Sequence, residues 1–254
     1  MPFVEKFNWS TVVAQAPRTE LKGLAWRVVE SQEEIATMAL VDTLEEQALL
    51  EFLLEQSKPP YPKNARQLDY LLTTPFRYPP LPWGSRFGSQ LEPSLYYAAL
   101  TINTALAEAA FYRFVFWQGM DIAPLSGRLL TQHTIFSAQY LCDPGFALDQ
   151  PPFDTYREIL TNKRVCGPCQ SLGSELRVAN AQGFQYISAR CPDGGLNIAL
   201  FTPDALTSRK PEETQNWLCE TRDDHVSFKG PHDIAHTFGI DVFAVNGAFP
   251  VPAE

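Results

Sequence analysis

The sequence lacks three features that would direct its interpretation elsewhere. No apolar run is long enough to cross a bilayer, because the most apolar window, residues 96–117, is interrupted by Asn103, Glu108 and Arg113. The amino terminus has no basic segment followed by an apolar stretch, so we expect no secretory signal. The five cysteines are an odd number in a chain too large to need disulfides. These features together predict a cytoplasmic protein.

Positive charge is also scarce. Lys and Arg number 20 against 29 Asp and Glu, which gives a net charge of -9. Such a surface repels nucleic acid and anionic membranes, so neither is an expected partner. A composition that is 45% hydrophobic and 19% charged provides a large core, and the length allows one large domain or two small ones. We find no internal repeat, low-complexity tract or linker.

The N-terminal part has one strand signal and one helix signal. Residues 24–30 alternate between apolar and polar side chains, which predicts a short strand. Thr43 and Glu46 have the spacing of a capping box, so a packing helix is expected to begin there and to end at the Lys-Pro-Pro of residues 58–60. The proline-rich residues 59–83 predict irregular backbone, as a rigid pocket wall or, alternatively, a ligand for an SH3-type domain.

Further along the chain, the patterns predict several elements. The clearest is a hairpin, since residues 184–190 and 196–201 flank CPDGG, and it would place Ser188 in mid-strand. Asn103 is the expected cap of a helix over residues 104–114. The other expected elements are strands at 94–100, 114–117 and 128–130, helices starting near 155 and 170, and two or three short strands within 217–248.

The segment from Pro75 to Arg113 carries the strongest functional signal. Arg86 lies in a Gly/Ser turn, GSRFG, from which a guanidinium can clamp a pyrophosphate with two parallel hydrogen bonds. Tyr96 and Tyr97 follow on a strand and offer rings that can cover a flat heterocycle, and Glu108 follows on a helix. This order suits an anionic nucleotide, with the carboxylate facing its sugar.

The cysteines permit two other interpretations. Cys166-Gly-Pro-Cys169 has the spacing of a redox-active dithiol, but the residues before it lack the strand and Trp of a thioredoxin. A zinc site would need further ligands and has no second C-x-x-C; His232 and His236 also lack the Glu of the metalloprotease motif. The candidate additional ligands are Cys142, Cys191, Cys219, His232 and His236. Structural cysteines are the preferred interpretation, with no metal.

Taken in order, these motifs resemble the RES family, which is named for an Arg, a Glu and a Ser. GSRFG, TALAE and GFQYISAR are the carrying segments, and they assign the three family residues to Arg86, Glu108 and Ser188. The family tyrosine falls on Tyr96 or Tyr97. The segments WRVVESQ, PFRY and CQSLG extend the resemblance over roughly residues 24–201.

The resemblance implies an α+β fold similar to the ADP-ribosyltransferases, with two facing, mostly antiparallel sheets and flanking helices around a nucleotide cleft. We expect a single domain over residues 1–254, with a core at about 61–215, a helical extension at 1–60 and C-terminal strands at 216–254. The implied activity is NAD cleavage by the toxin of a toxin–antitoxin pair. The implied partner is an antitoxin with a helix-turn-helix domain.

The chemistry that the resemblance implies assigns a role to each residue. Glu108 would stabilise the ribosyl cation that forms as nicotinamide leaves, and Arg86 would hold the pyrophosphate. A ring at Tyr96 or Tyr97 would stack on nicotinamide, and Ser188 would make one hydrogen bond. Arg77 and Arg113 are further candidates for phosphate charge. Water, phosphate or a protein could accept the ADP-ribosyl group, so glycohydrolase, phosphorylase and ADP-ribosyltransferase all remain, as does a non-catalytic binding module.

Overall fold

The computed structural model describes residues 7–31 and 40–251. Residues 1–6, 32–39 and 252–254 lie outside this range. They include parts of the predicted helical extension at 1–60 and of the C-terminal region at 216–254, as well as Gln32 of the WRVVESQ segment. In the described part of the chain, no helix is long and apolar enough to cross a membrane. The helices are α1 (Trp9–Gln15), α2 (Leu44–Ser57), α3 (Tyr70–Arg77), α4 (Ile102–Gln118), α5 (Arg157–Leu160) and α6 (Gly167–Val178). The strands are β1 (Thr19–Glu30), β2 (Tyr96–Ala99), β3 (Leu129–Ala147), β4 (Gly183–Ile187), β5 (Leu196–Leu200), β6 (Glu213–Thr221), β7 (His225–Lys229) and β8 (Ala235–Gly239).

All eight strands belong to one hydrogen-bonded sheet in the order β1-β2-β5-β4-β3-β6-β7-β8. The pairs are antiparallel except β3 with β4, which run parallel. Because β1 also pairs with β3, the strands β1, β2, β5, β4 and β3 close into a ring. The expected α+β class is therefore confirmed as a large mixed sheet with flanking helices.

The 19-residue strand β3 connects the two parts of the sheet. One of its edges pairs with β1 from His133 to Gly145, while the other pairs first with β6 and then, from Gly145, with β4. Its buried core side chains include Ile135, Phe136 and Phe146. The sequence analysis expected only a short strand at 128–130, because the Gly and Pro residues near 144 break the apolar pattern.

Helix α4 begins earlier and ends later than expected. Thr101, not Asn103, is its cap, and the Thr101 side chain accepts a hydrogen bond from the amide of Thr104. The predicted strand at 114–117 is wrong, because these residues continue the helix to Gln118. Both errors arise because Asn and Thr are similar capping residues and because an apolar run alone does not distinguish a strand from a buried helix.

Two N-terminal predictions also need correction. Helix α2 has Thr43 as its N-cap and ends before Lys58, as expected. It is not a packing helix, however, because Leu44 and Leu53 are exposed. The proline-rich segment is not irregular throughout, because α3 forms within it with Pro75 inside the helix. Asp69 caps α3 by accepting from the amide of Leu71 at 2.9 Å, which stabilises its first turn.

Other predictions are confirmed. The strand expected at 24–30 is the second half of β1, so residues 1–60 contribute a central strand as well as helices. The hairpin is β4 and β5, and the three C-terminal strands are β6, β7 and β8. Ser188, however, is not in mid-strand but directly after β4.

Helix α6 packs closely on the loop that carries Arg86. Gly173 makes this approach possible, because a Cβ at that position would lie 1.8 Å from the carbonyl oxygen of Phe87. Phe87 is itself fully buried among the side chains of α6 and β4. The loop and the helix therefore form one packed unit.

We expect Gly173→Ala to destabilise the protein by about 2–3 kcal/mol through overpacking, although alanine is favoured in helices by about 1 kcal/mol. Urea denaturation would measure this change. Gly167→Ala in the same helix is the matched control, since a Cβ there meets nothing within 4 Å. Equal stability of the two variants would contradict the close contact with Phe87.

Candidate active site

A cleft of about 440 Å³ lies where α4 meets β1 and β2. The strands β1 and β2 are paired only at Trp26 and Ala99, so they diverge on either side of that pair. The walls also include the loop around Arg86, residues 163–167 and the start of α6. Arg86, Tyr97 and Glu108 all line this cleft, although they come from three different elements.

Glu108 lies in the second turn of α4 and is held by two side chains. Its Oε1 accepts hydrogen bonds from Ser188 Oγ at 2.6 Å and from Asn197 Nδ2 at 2.8 Å. Oε2 of Glu108 makes no hydrogen bond to the protein within residues 7–31 and 40–251. One carboxylate oxygen is thus fixed, while the other is available to a ligand.

Ser188 does not line the cleft itself but lies behind Glu108. It is buried, and its hydroxyl oxygen accepts from the backbone amides of Arg190 at 3.1 Å and Cys191 at 2.9 Å. These two amides leave the hydroxyl proton free to be donated to Glu108. Ser188 therefore fixes the Glu108 carboxylate relative to the turn that follows β4.

The β4–β5 turn can approach α4 because Gly195 has no side chain. A Cβ at Gly195 would lie 2.0 Å from the hydroxyl oxygen of Thr104. On β5, Asn197 pairs with Ala99 of β2 and with Tyr186 of β4, which places its amide under the helix. The sequence analysis missed Asn197, because only the sheet register brings it to Glu108.

The loop that presents Arg86 is fixed from both sides. Gly84 adopts a φ of +75°, a conformation that favours glycine, and Ser85 closes the turn with an amide hydrogen bond to the carbonyl of Gly88 at 2.8 Å. Gln170 of α6 donates to the carbonyl of Ser85 at 2.9 Å. Arg86 Nη1 donates to the carbonyl of Asn162 at 2.9 Å. The guanidinium is therefore oriented by carbonyl groups, which leave its charge uncompensated.

The two candidate tyrosines lie on opposite faces of β2. The Tyr97 hydroxyl contacts Ser85 Oγ at 2.8 Å and accepts from the amide of Phe87 at 3.1 Å, so it supports the arginine loop as well as lining the cleft. Tyr96 is fully buried in the core on the other face, with its ring stacked on Phe76 at 5.8 Å. Alternation of side chains along a strand accounts for this difference.

Two predicted arginines lie outside the cleft lining. Arg77 is buried in an ion pair with Glu55 at 2.6 Å. Arg113 is buried as well and pairs with Glu30 at 2.9 Å. Each guanidinium already has a carboxylate partner, so the structure does not bring either residue to the site.

Other cations supply the positive charge of the cleft. They are Lys163, Arg164 and Arg190, which line it together with Arg86. Lys163 donates to the carbonyl of Val242 at 2.8 Å, and Arg164 donates to that of Val245 at 2.8 Å. Among the described residues, none of these four cations forms an ion pair with a carboxylate within 4.0 Å.

The cations in the cleft influence one another. Arg190 donates to the carbonyl of Lys163 at 3.0 Å, and its guanidinium carbon lies 3.5 Å from the centre of the Phe111 ring. Burial, with a contribution from Arg86, lowers the pKa of Arg190 to about 10. Burial and Arg190 also lower the pKa of Lys163. Mutual repulsion of this kind is relieved when an anion binds.

Arg27 is a further cation that sequence analysis missed, but its charge does not face the cleft. Its guanidinium lies 4.6 Å from the centre of the Tyr96 ring, on the face of β2 opposite Tyr97, and burial lowers its pKa. Its Nη1 is shielded from solvent and has no hydrogen-bond partner among the residues that the structure describes. An unpartnered cation is costly in a protein interior, and the contact with the Tyr96 ring offsets part of that cost.

Metal ligands are not gathered in the described residues, where no group of three or more His, Cys, Asp or Glu side chains could hold an ion. All five cysteines are free thiols. Four are buried, and Cys166 is partly exposed at the cleft.

Comparison with known proteins identifies the family. A crystal structure of the M. tuberculosis MbcT–MbcA toxin–antitoxin complex contains a chain with a TM-score of 0.48 and 10% sequence identity, over 81% of this chain and 90% of that chain. No curated protein matches the sequence. The family model of the RES domain matches residues 61–222, which is more than half of the chain. The resemblance carried by GSRFG, TALAE and GFQYISAR is thereby confirmed, and the chain belongs to the RES domain family.

Proposed function

We propose that this protein breaks the nicotinamide–ribose bond of NAD and is the toxin of a toxin–antitoxin pair. Membership of the RES family supports this proposal, since RES toxins generally act on NAD. The observation that carries the proposal is the tethered carboxylate of Glu108 in a cleft lined by four cations without carboxylate partners. A dinucleotide with two negative phosphates and a ribose that becomes cationic complements both features.

Glu108 is the catalytic residue of this proposal. Nicotinamide leaves as a neutral molecule, so its departure needs no general acid, and the barrier arises from the cationic ribosyl group. The free Oε2 can bind a ribose hydroxyl and stabilise that cation, while Oε1 stays bound to Ser188 and Asn197. In this scheme, Ser188 and Asn197 are positioning residues, because they act through Glu108.

The arginines bind and orient the substrate. Arg86 would take the pyrophosphate with a guanidinium that is already oriented by the carbonyl of Asn162. Lys163, Arg164 and Arg190 provide further positive charge around it. Tyr97 would cover the nicotinamide ring from the cleft wall, whereas Tyr96 and Arg77 take no direct part. This local charge overcomes the repulsion from a protein whose net charge is -9.

The closed strand ring supports a relation to the two-layer plan of the ADP-ribosyltransferases. In this proposal, the divergence of β1 from β2 opens the nucleotide cleft between the layers. We treat the chain as a single domain, since β1, from the N-terminal region, pairs along its length with β3. Free thiols and an NAD substrate suit a cytoplasmic enzyme.

The family further implies an antitoxin with a helix-turn-helix domain that covers the cleft. Exposed apolar side chains at the rim, Leu81, Trp83 and Tyr112, would suit such a covering segment. The acceptor of the ADP-ribosyl group can be water, phosphate or a protein, because each can attack the cation from the face that nicotinamide vacates. A product analysis distinguishes these reactions.

We expect the purified protein to release nicotinamide from NAD, and Glu108→Gln to slow this release by about 100- to 1000-fold. Mass spectrometry would identify ADP-ribose, its phosphate ester formed only with added phosphate, or an adduct formed only with cell lysate. Glu158→Gln, at an exposed carboxylate of α5, is the control. Absence of nicotinamide in all three conditions would refute the proposal in favour of a binding module.

Ser188→Ala should reduce kcat by about 10-fold or more, because a hydrogen bond to a charged group contributes about 1.5–3 kcal/mol. KM for NAD should change little, since Ser188 acts only through Glu108. Steady-state kinetics would separate the two parameters. Ser171→Ala is the control, since that exposed hydroxyl donates to the carbonyl of Gly167 within α6. Wild-type kcat in Ser188→Ala would exclude the positioning role.

A further inference from the structure

The Cys-Gly-Pro-Cys segment forms the first turn of α6. Cys166 is the N-cap residue and Cys169 is the third residue of the 12-residue helix. Side chains at the N-cap and three residues later lie next to each other at the start of a helix, as in a capping box. The two thiols are therefore arranged as neighbours, and both are reduced.

The two thiols have different environments. Cys166 is partly exposed and lines the cleft, where a soluble reagent can reach it. Cys169 is fully buried against Leu172 and Leu176, and burial raises its pKa to about 11. An accessible first thiol followed by a buried second thiol is the arrangement in which the first attacks a disulfide and the second resolves the product.

Cys169 is also connected to the proposed substrate arginine. The carbonyl of Leu160 accepts a hydrogen bond from Cys169 Sγ at 3.7 Å and from Arg86 Nη1 at 3.3 Å. The neighbouring carbonyl of Asn162 holds Arg86 as well. If Cys169 loses its S–H group, its hydrogen bond to Leu160 is lost, and the sulfur moves towards Cys166. The carbonyls that orient Arg86 are then displaced.

We propose that Cys166 and Cys169 form a redox-active dithiol, and that its oxidation to a disulfide by a small-molecule disulfide reduces substrate binding and turnover in the cleft. The Cys166 thiolate attacks one sulfur of RSSR, which forms a mixed disulfide and releases RS⁻. The Cys169 thiol then gives up its proton and attacks the Cys166 sulfur, releasing a second RS⁻. The dithiol loses two electrons, RSSR gains them, and two RSH form. Excess RSH reverses both steps.

Only one part of the dithiol inference, the effect of the disulfide on NAD cleavage, rests on the proposed function. Disulfide formation can be measured without any NAD turnover. Binding of ADP-ribose reports on the arginine cleft in the same way. The effect on NAD cleavage is expected to be about 10-fold or more, since small displacements of positioning groups reduce rates by up to about 100-fold.

The full-length protein would be equilibrated with defined ratios of reduced and oxidised glutathione, alkylated, and analysed by intact and peptide mass spectrometry. The expected product is a disulfide joining residues 166 and 169, with no bound glutathione. Cys169→Ser should stop at the glutathione mixed disulfide on Cys166, and Cys166→Ser should remain reduced. Cys219→Ser, which keeps the pair and alters another buried thiol, should behave like the wild type.

Nicotinamide release and ADP-ribose binding would then be compared as the ratio between the oxidised and reduced forms of each variant. The wild type and Cys219→Ser should lose about 10-fold in both quantities and recover with excess thiol, whereas Cys166→Ser should show a ratio near one. Absence of the 166–169 disulfide, or its formation with unchanged ADP-ribose binding, would overturn the inference. If the reduced protein cleaves no NAD, the proposed function fails, and disulfide formation and binding still decide the inference.

Discussion

The site depends on the two hydrogen bonds that hold Oε1 of Glu108 to Ser188 and Asn197. Opposite charges attract strongly in a partly buried cleft, so an untethered carboxylate would pair with one of the guanidinium groups around it. In the proposed reaction, such a pair would neutralise both the carboxylate that would stabilise a ribosyl cation and a cation that would bind phosphate. The tether prevents this and joins α4 to the β4–β5 hairpin, and the close approach at Gly195 makes the connection possible.

The same requirement explains how the cations are arranged. Arg86, Lys163, Arg164 and Arg190 are oriented by backbone carbonyls, which accept hydrogen bonds without cancelling a full charge. The protein therefore keeps uncompensated charge around the cleft, at a cost in stability that a bound polyanion would offset. By contrast, the charge of a structural arginine such as Arg113 is compensated by a carboxylate, that of Glu30.

Sequence patterns predicted elements whose signals are local, such as the β4–β5 hairpin and the two ends of α2. They did not predict β3, whose 19 residues are stabilised by three neighbouring strands across positions that look like breaks. The same limit applies to the site. Family motifs gave Arg86, Glu108 and Ser188, but Asn197 reaches Glu108 through sheet register alone. The pleat of β2 places Tyr97 rather than Tyr96 at the cleft, which no spacing argument could predict.

In the proposed reaction, the motif residues would supply the reactive groups, whereas other segments set their geometry. Arg86 is oriented by carbonyls of residues 160 and 162, and its loop is fixed by Tyr97 and Gln170. Residues 157–170 thus hold the Arg86 loop and also contribute Lys163, Arg164 and Cys166 to the cleft. A change in this segment can alter substrate binding without touching Glu108 or Ser188. The segment that precedes and begins α6 therefore sets both the placement of positive charge in the cleft and the orientation of Arg86.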